Sequence, residues 1–302
     1  MDELLATPGR YRYSAITERP RYRWPGGSAL ALYVAINVEC FAYGTGAGAT
    51  LTPGMDPPNS EHRKYAWRDY GMRVGFWRIL EALAEHDLVP CYLLNAYVCR
   101  LYPDVVAAIE ASGGEVVGHG RTNAELQGGM EEAEEAALIE ESTRILTETF
   151  GKAPRGWMSP GATQSPRTPD LLREAGYTYT LDWPLDDQPV WMSTRAGPLL
   201  SVPYPLEIND LPAQISRGAT ARDFEAMALD QLEELQAQAA GGTPVVCGLS
   251  LHTFVSGQPY RLRALRRVLE AVSAAGPSLW RASPGEIATH AASVLGDGSP
   301  EL

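Results

Sequence analysis

Positive charge is in short supply in this chain. Its 25 lysines and arginines are outnumbered by 37 aspartates and glutamates, for a formal net charge of -12. Nucleic acids and anionic membrane surfaces are held by clustered basic side chains, so the balance argues against both as partners. Cysteine is scarce as well. Cys40, Cys91, Cys99 and Cys247 form no CxxC pair, and three of them lie in or beside apolar runs. That pattern reads as reduced, buried thiols and not as a disulfide framework. No apolar run approaches the roughly 20 residues a membrane helix requires. The opening MDELLATPGRYRYS lacks the charged and apolar regions of a signal peptide. These absences lead to the expectation of a soluble, cytoplasmic protein that acts on a small molecule.

What is present is a sizeable core and a regular alternation. Of 302 residues, 45% are hydrophobic, enough for one large domain. Residues 1–28, rich in Arg, Tyr, Pro and Gly, read as an irregular lead-in. LALYVAINV, Leu30–Val38, is apolar on both faces and of strand length, as in a parallel sheet covered on both sides. Residues 45–60 are rich in glycine and proline and predict a long loop. Further strands are expected over 90–95, 116–117, 177–182, 199–203, 244–251 and 279–281, with Gly156–Ser159 between. Helical spacing marks 67–85, 103–111, 130–150, 168–175, 221–239, 260–275 and 284–294. With no linker or composition break, the expectation is a single α/β domain over 1–302, a barrel-like structure.

Several of these strands end in residues suited to chemistry. GEVVGHGRTN carries His119 between two glycines at the end of an apolar pair, a place where the backbone turns tightly. The first strand ends in Asn37, Val38 and Glu39, and alternation puts Asn37 and Glu39 on one side. Cys40 is thereby turned to the other. Other strand ends bring Asn95, Asp182 and His252. A parallel barrel gathers such ends around one pit, so a shared site containing Glu39, His119 and His252 is expected.

The order of NVE, HGRTN, GWMSP, LDWPLDDQP, VPYPLEIND and LSLHTFVSGQPYR resembles the polysaccharide deacetylase (NodB-homology) superfamily. The similarity extends over about residues 20–290 and is greatest to the branch of metal-independent allantoinases and cyclic-imide hydrolases. It implies an α/β fold, a distorted (β/α) barrel of about seven strands, and a homo-oligomer. In the sugar deacetylases an Asp pair supplies a base and a metal ligand, and an HxxxH motif supplies two more ligands. The matching positions here are Asn37, Glu39, His119 and Asn123. An amide takes no proton at neutral pH and is a feeble zinc ligand. The resemblance therefore implies no metal, the alternative being zinc on Glu39, His119 and Asn123.

The expected chemistry is hydrolysis of a non-peptide C–N bond in a small amide or cyclic amide. Glu39 would orient or deprotonate water, and His119 or His252 would protonate the leaving nitrogen. Asn37, Arg121 and Asn123 would bind carbonyl or carboxylate groups, with Asp182 also on the substrate and Trp157 and Trp183 as apolar walls. Two other readings stay open: a metal-dependent N-deacetylase of an amino sugar or natural product, and a non-catalytic binding protein on the same scaffold.

Overall fold

The structure, a computed structural model, describes residues 7–44, 61–296 and 298. The loop expected over 45–60 lies outside the described residues. A single curled sheet carries the fold. Its strands are β1 (Leu30–Val38), β2 (Cys91–Leu94), β3 (Val116–Gly118), β4 (Gly156–Trp157), β5 (Tyr179–Thr180), β6 (Val190–Met192), β7 (Leu199–Ser201), β8 (Val245–His252) and β9 (Leu279–Arg281). Eight run in the order β6-β7-β5-β4-β3-β2-β1-β8, and β9 pairs with β1. All neighbours are parallel except β6 and β7. This is the distorted barrel that the motif order implied, with more strands than the seven or so expected. The strand with no counterpart among the segments expected from the sequence is β6, a three-residue hairpin partner of β7.

β1 is the hub. Along one side it pairs with β8 from Leu30 to Asn37. Its other side is shared, β9 taking Leu30–Leu32 and β2 taking Ala35–Val38. Every residue of β1 is buried, and alternation divides them. Leu30, Leu32, Val34, Ile36 and Val38 pack under the helices, against Phe76, Ile79, Leu83, Phe224, Leu232, Leu265 and Leu269. Ala31, Tyr33 and Ala35 face the barrel interior with Cys91, Leu93, Val117, Val202 and Val246. Each large aliphatic side chain buried in this way stabilises the fold by about 1.5–3 kcal/mol. The inward series then continues as Asn37 and Glu39, so the interior turns from apolar to polar at the carboxyl ends of the strands.

Beyond β8, the edge strand beside β1, irregular chain completes the wall. Asn209 makes an isolated parallel bridge to Ser250 on β8, and the Asp187 carbonyl accepts from the Val246 N–H at 2.9 Å. The lead-in is tied down by ion pairs from Arg10 to Asp170 (2.7 Å) and Arg19 to Asp186 (2.6 Å). Among the described residues, no helix is long and apolar enough to cross a membrane.

The helix expected over 67–85 begins earlier and is interrupted. Glu61–Tyr70 runs through a π-type turn, Gly71–Gly75, into Phe76–Ala84. The turn sits where the helix presses on Thr253–Gly257, the segment that leaves β8. A Cβ at Gly71 would meet the Thr253 hydroxyl and the Phe254 N–H, one at Gly75 the Thr253 carbonyl, and one at Gly257 the backbone of Gly75. Three glycines thus permit a backbone-to-backbone crossing directly behind His252. We expect Gly75→Ala to lower unfolding free energy by about 1–3 kcal/mol or more, since overpacked backbone cannot yield cheaply. Gly129→Ala, at a glycine with open space around it, should leave the denaturation midpoint within error.

Candidate active site

The polar end of the barrel interior is built around one carboxylate. Glu39 follows β1, His119 follows β3, and His252 closes β8; all three are at most 5% exposed. His119 Nε2 stands 3.4 Å from Glu39 Oε1 and His252 Nε2 stands 3.7 Å from the same oxygen. A third donor, Asn123 Nδ2, reaches Oε1 at 2.5 Å. The second oxygen, Oε2, is buried and has no partner among the described residues. Burial alone would raise the pKa of Glu39. The charge of His252, the bond and charge of His119, and the Asn123 donor outweigh it and hold the carboxyl below its ordinary range.

Each imidazole is oriented from its far side. His119 Nδ1 lies 2.6 Å from the Met158 carbonyl, which can only accept, so Nδ1 carries a proton and Nε2 is turned to Glu39. His252 Nδ1 lies 2.8 Å from Asp210 Oδ1. The Asp210 carboxylate also accepts from the His252 N–H (2.8 and 2.9 Å) and from Ser256 Oγ (2.6 Å). Burial works against a charged His252, but Glu39 and the hydrogen-bonded Asp210 raise its pKa overall.

The other residues expected at the site are placed as follows. Asn123 is drawn in and donates to Glu39. Asn37 is buried on the inward face, but its amide donates to Ser250 Oγ (2.9 Å) and the Leu251 carbonyl (3.2 Å). It braces β1 against β8, and these bonds occupy the donors expected to meet a substrate carbonyl. Arg121 is engaged by Glu125 and, at 3.0 Å, by Glu141. Its fork is taken by this chain's own carboxylates. Trp157 is fully buried, its Nε1 directed to Gln127 and Ser159, so it packs in the core and walls no open cleft. Asp182 accepts from the Ser159 N–H (2.6 Å) and Oγ (2.9 Å) and from Thr180 Oγ1 (3.1 Å). Burial pushes its pKa up to about 6 against those bonds. Trp183 pairs edge-on with Tyr11 of the lead-in. The Cys40 thiol is pushed up to about 12 by burial and by Glu39, unfit for a nucleophile.

One contributor, Asp210, was not singled out from the sequence. Asp210 lies in no strand, so periodicity gives it no face; it is carried in by the bridge at Asn209. The only signal was its place in VPYPLEIND, beside Asn209. Asn95 was visible as a strand end, but its role depends on loops it touches across the sheet.

The donors present do not fit a zinc ion. Asn123 offers Glu39 its N–H₂ end, and its Oδ1 accepts from Asn95 Nδ2 at 3.1 Å, so its lone pair points away from Glu39. Among the described residues, no group of three or more His, Cys, Asp or Glu side chains is placed to hold a metal.

The fold is an α/β barrel with an inward carboxylate–imidazole cluster at the carboxyl ends of its strands. A family model for polysaccharide deacetylase matches residues 59–180. A Schizosaccharomyces pombe protein whose description places it among polysaccharide deacetylases is 29% identical over 280 residues, covering 87% of this chain and 85% of its own. Among solved structures, PuuE allantoinase superposes with a TM-score of 0.83 at 29% identity, over 95% of this chain and 96% of that one. A Pseudomonas aeruginosa protein described as a polysaccharide deacetylase gives 0.79 at 27% identity, over 91% and 95%. Residues 59–180 thus match polysaccharide deacetylase, and over most of its length the chain is similar to proteins of that description and to an allantoinase, as its motif order implied.

The His252–Asp210 pair has a measurable signature. In the wild type, the His252 ring should titrate above the ordinary histidine range, followed by NMR of its Cε1–H. Asp210→Asn should lower that midpoint. Because the folded-state value is raised, the stability this pair adds is complete below the ordinary histidine pKa. It is lost as pH rises through the raised value.

Proposed function

We propose that the protein hydrolyses a non-peptide C–N bond in a small amide or cyclic amide, without a metal ion. The observation that carries this reading is the state of Glu39, with Oε1 hydrogen-bonded by His119 and Asn123 and faced by His252 at 3.7 Å, and Oε2 buried and without a partner among the described residues. A carboxylate so arranged stays ionised near neutral pH and offers one oxygen to a water molecule. Oε2 takes a proton as the water oxygen bonds to the carbonyl carbon. The carbonyl electrons move to the oxyanion. The oxyanion electrons then re-form the carbonyl as the C–N bond breaks, and His252, its pKa raised by Glu39 and the hydrogen-bonded Asp210, gives its Nε2 proton to the departing nitrogen. His119, fixed by the Met158 carbonyl, holds Glu39 in place and lies on the other side of the same oxygen.

Likeness to PuuE allantoinase supports a cyclic or open ureide or imide as substrate. The Asn123 donor, facing Glu39 where a ligand lone pair would be needed, supports the metal-free route. The likeness to proteins described as polysaccharide deacetylases makes N-acetylated sugars the comparison set.

The test is turnover of allantoin, succinimide-type cyclic imides and N-acetylglucosamine oligomers, each with and without EDTA. We expect turnover of an amide or imide that a chelator leaves intact. Activity confined to N-acetyl sugars and abolished by EDTA would return the protein to the metal-dependent deacetylases. On the substrate found, Glu39→Gln keeps size and hydrogen bonding and removes the base. Its kcat should fall by roughly 10²-fold or more while KM changes little.

A further inference from the structure

We propose that Asn95 is a positioning residue that sets which end of the Asn123 amide faces Glu39, and thereby keeps the site as a metal-free carboxylate. The inference rests on the metal-free reading above and names the residue that enforces it.

Asn95 is fully buried and directly follows β2. Its Oδ1 accepts from the Cys40 N–H at 2.9 Å. Its Nδ2 donates to the His119 carbonyl and, at 3.1 Å, to Asn123 Oδ1. The orientation of this amide is fixed by backbone groups, because a peptide N–H only donates and a carbonyl only accepts. With the N–H₂ end held on the His119 side, its second hydrogen meets Asn123, which must present oxygen there. Asn123 is in turn anchored by its own N–H to the Cys40 carbonyl at 2.9 Å. Its remaining end, Nδ2, is therefore the one that reaches Glu39 Oε1.

Donor and acceptor thus alternate from the Cys40 peptide through two amides to the carboxylate. Asn95 ties together the loops after β1 and β3, and that alone is a structural role. The polarity is the additional property. A cation at Glu39 would require the Asn123 oxygen to turn toward it. The turn would set two N–H₂ groups against each other at the Asn95–Asn123 contact, in a buried place where unmade hydrogen bonds are costly. Asn95→Asp keeps the acceptor for Cys40, replaces the donor by an acceptor, and takes from the His119 carbonyl the hydrogen it accepts from Asn95. Asn123 is then satisfied only by turning its N–H₂ toward residue 95, which points its oxygen at Glu39. That arrangement calls for a cation.

The experiment is calorimetric titration of zinc chloride into wild type and Asn95→Asp, with circular dichroism to confirm folding. We expect no stoichiometric zinc on the wild type. The variant should take one zinc per chain, roughly tenfold tighter or more, the range by which residues behind metal ligands alter affinity. Stoichiometric zinc on the wild type would overturn the metal-free reading, and this inference with it. A zinc-free wild type beside a folded, equally zinc-free variant would overturn the role of Asn95 alone. Should Asn95→Asp not fold, the side-chain amides decide. Glu39→Gln should move the ¹⁵N resonance of the Asn123 side chain and leave that of Asn95 in place. An unmoved Asn123 resonance would overturn the proposal.

Discussion

A carboxylate taken out of water must be paired or it will not stay charged, and much of this site follows from that demand at Glu39. Two imidazoles and one amide converge on a single oxygen because nothing else in the apolar interior can hold the charge. The imidazoles need support of their own, which comes from a carbonyl for one and a second buried carboxylate for the other. Asp210 then requires donors, and the His252 peptide and Ser256 provide them. Each layer of polar groups is supported by the next, outward from Glu39 Oε1, until the network meets backbone, while Glu39 Oε2 is left without a partner among the described residues.

The fold was legible where periodicity is strong. LALYVAINV announced a strand covered on both faces, and its alternation foretold that Asn37 and Glu39 share the inward side. The long amphipathic helices fell within a few residues of their expected bounds. Legibility failed where a residue's position is set by something other than its own element. Asp210 is placed by a bridge between Asn209 and Ser250 across the barrel opening, and no local pattern encodes that. Arg121 illustrates the opposite error. Its neighbourhood in HGRTN marked it as a ligand for substrate, whereas Glu125 and Glu141, four and twenty residues onward, engage it. Trp157 lay in a quoted motif and packs in the core. A motif identifies a stretch of chain, and the direction of each side chain is decided by the packing.

The two amides among the expected site residues, Asn37 and Asn123, differ in kind. Asn37 joins strands and spends its hydrogens on β8. Asn123 spends one end on Glu39 and the other on Asn95. Residues matched by a motif to ligand or base positions have here become donors in a hydrogen-bonded lattice. The same scaffold can therefore surround a buried negative charge with hydrogen-bond donors.

The three-way pairing of β1 also bears on how the chain matures. β1 is made early, but two of its three partners, β8 and β9, lie more than two hundred residues downstream. Pairings of such long range are slow to form. While the chain is being synthesised, the β8 edge of this apolar segment and the Leu30–Leu32 part of its other edge stay open for most of elongation, a state prone to association. Glu39 spends that interval without His252, so the charge centre is assembled only as the last strands dock. A nascent or truncated chain lacking β8 would accordingly be a client for chaperones, and not a weaker version of the enzyme.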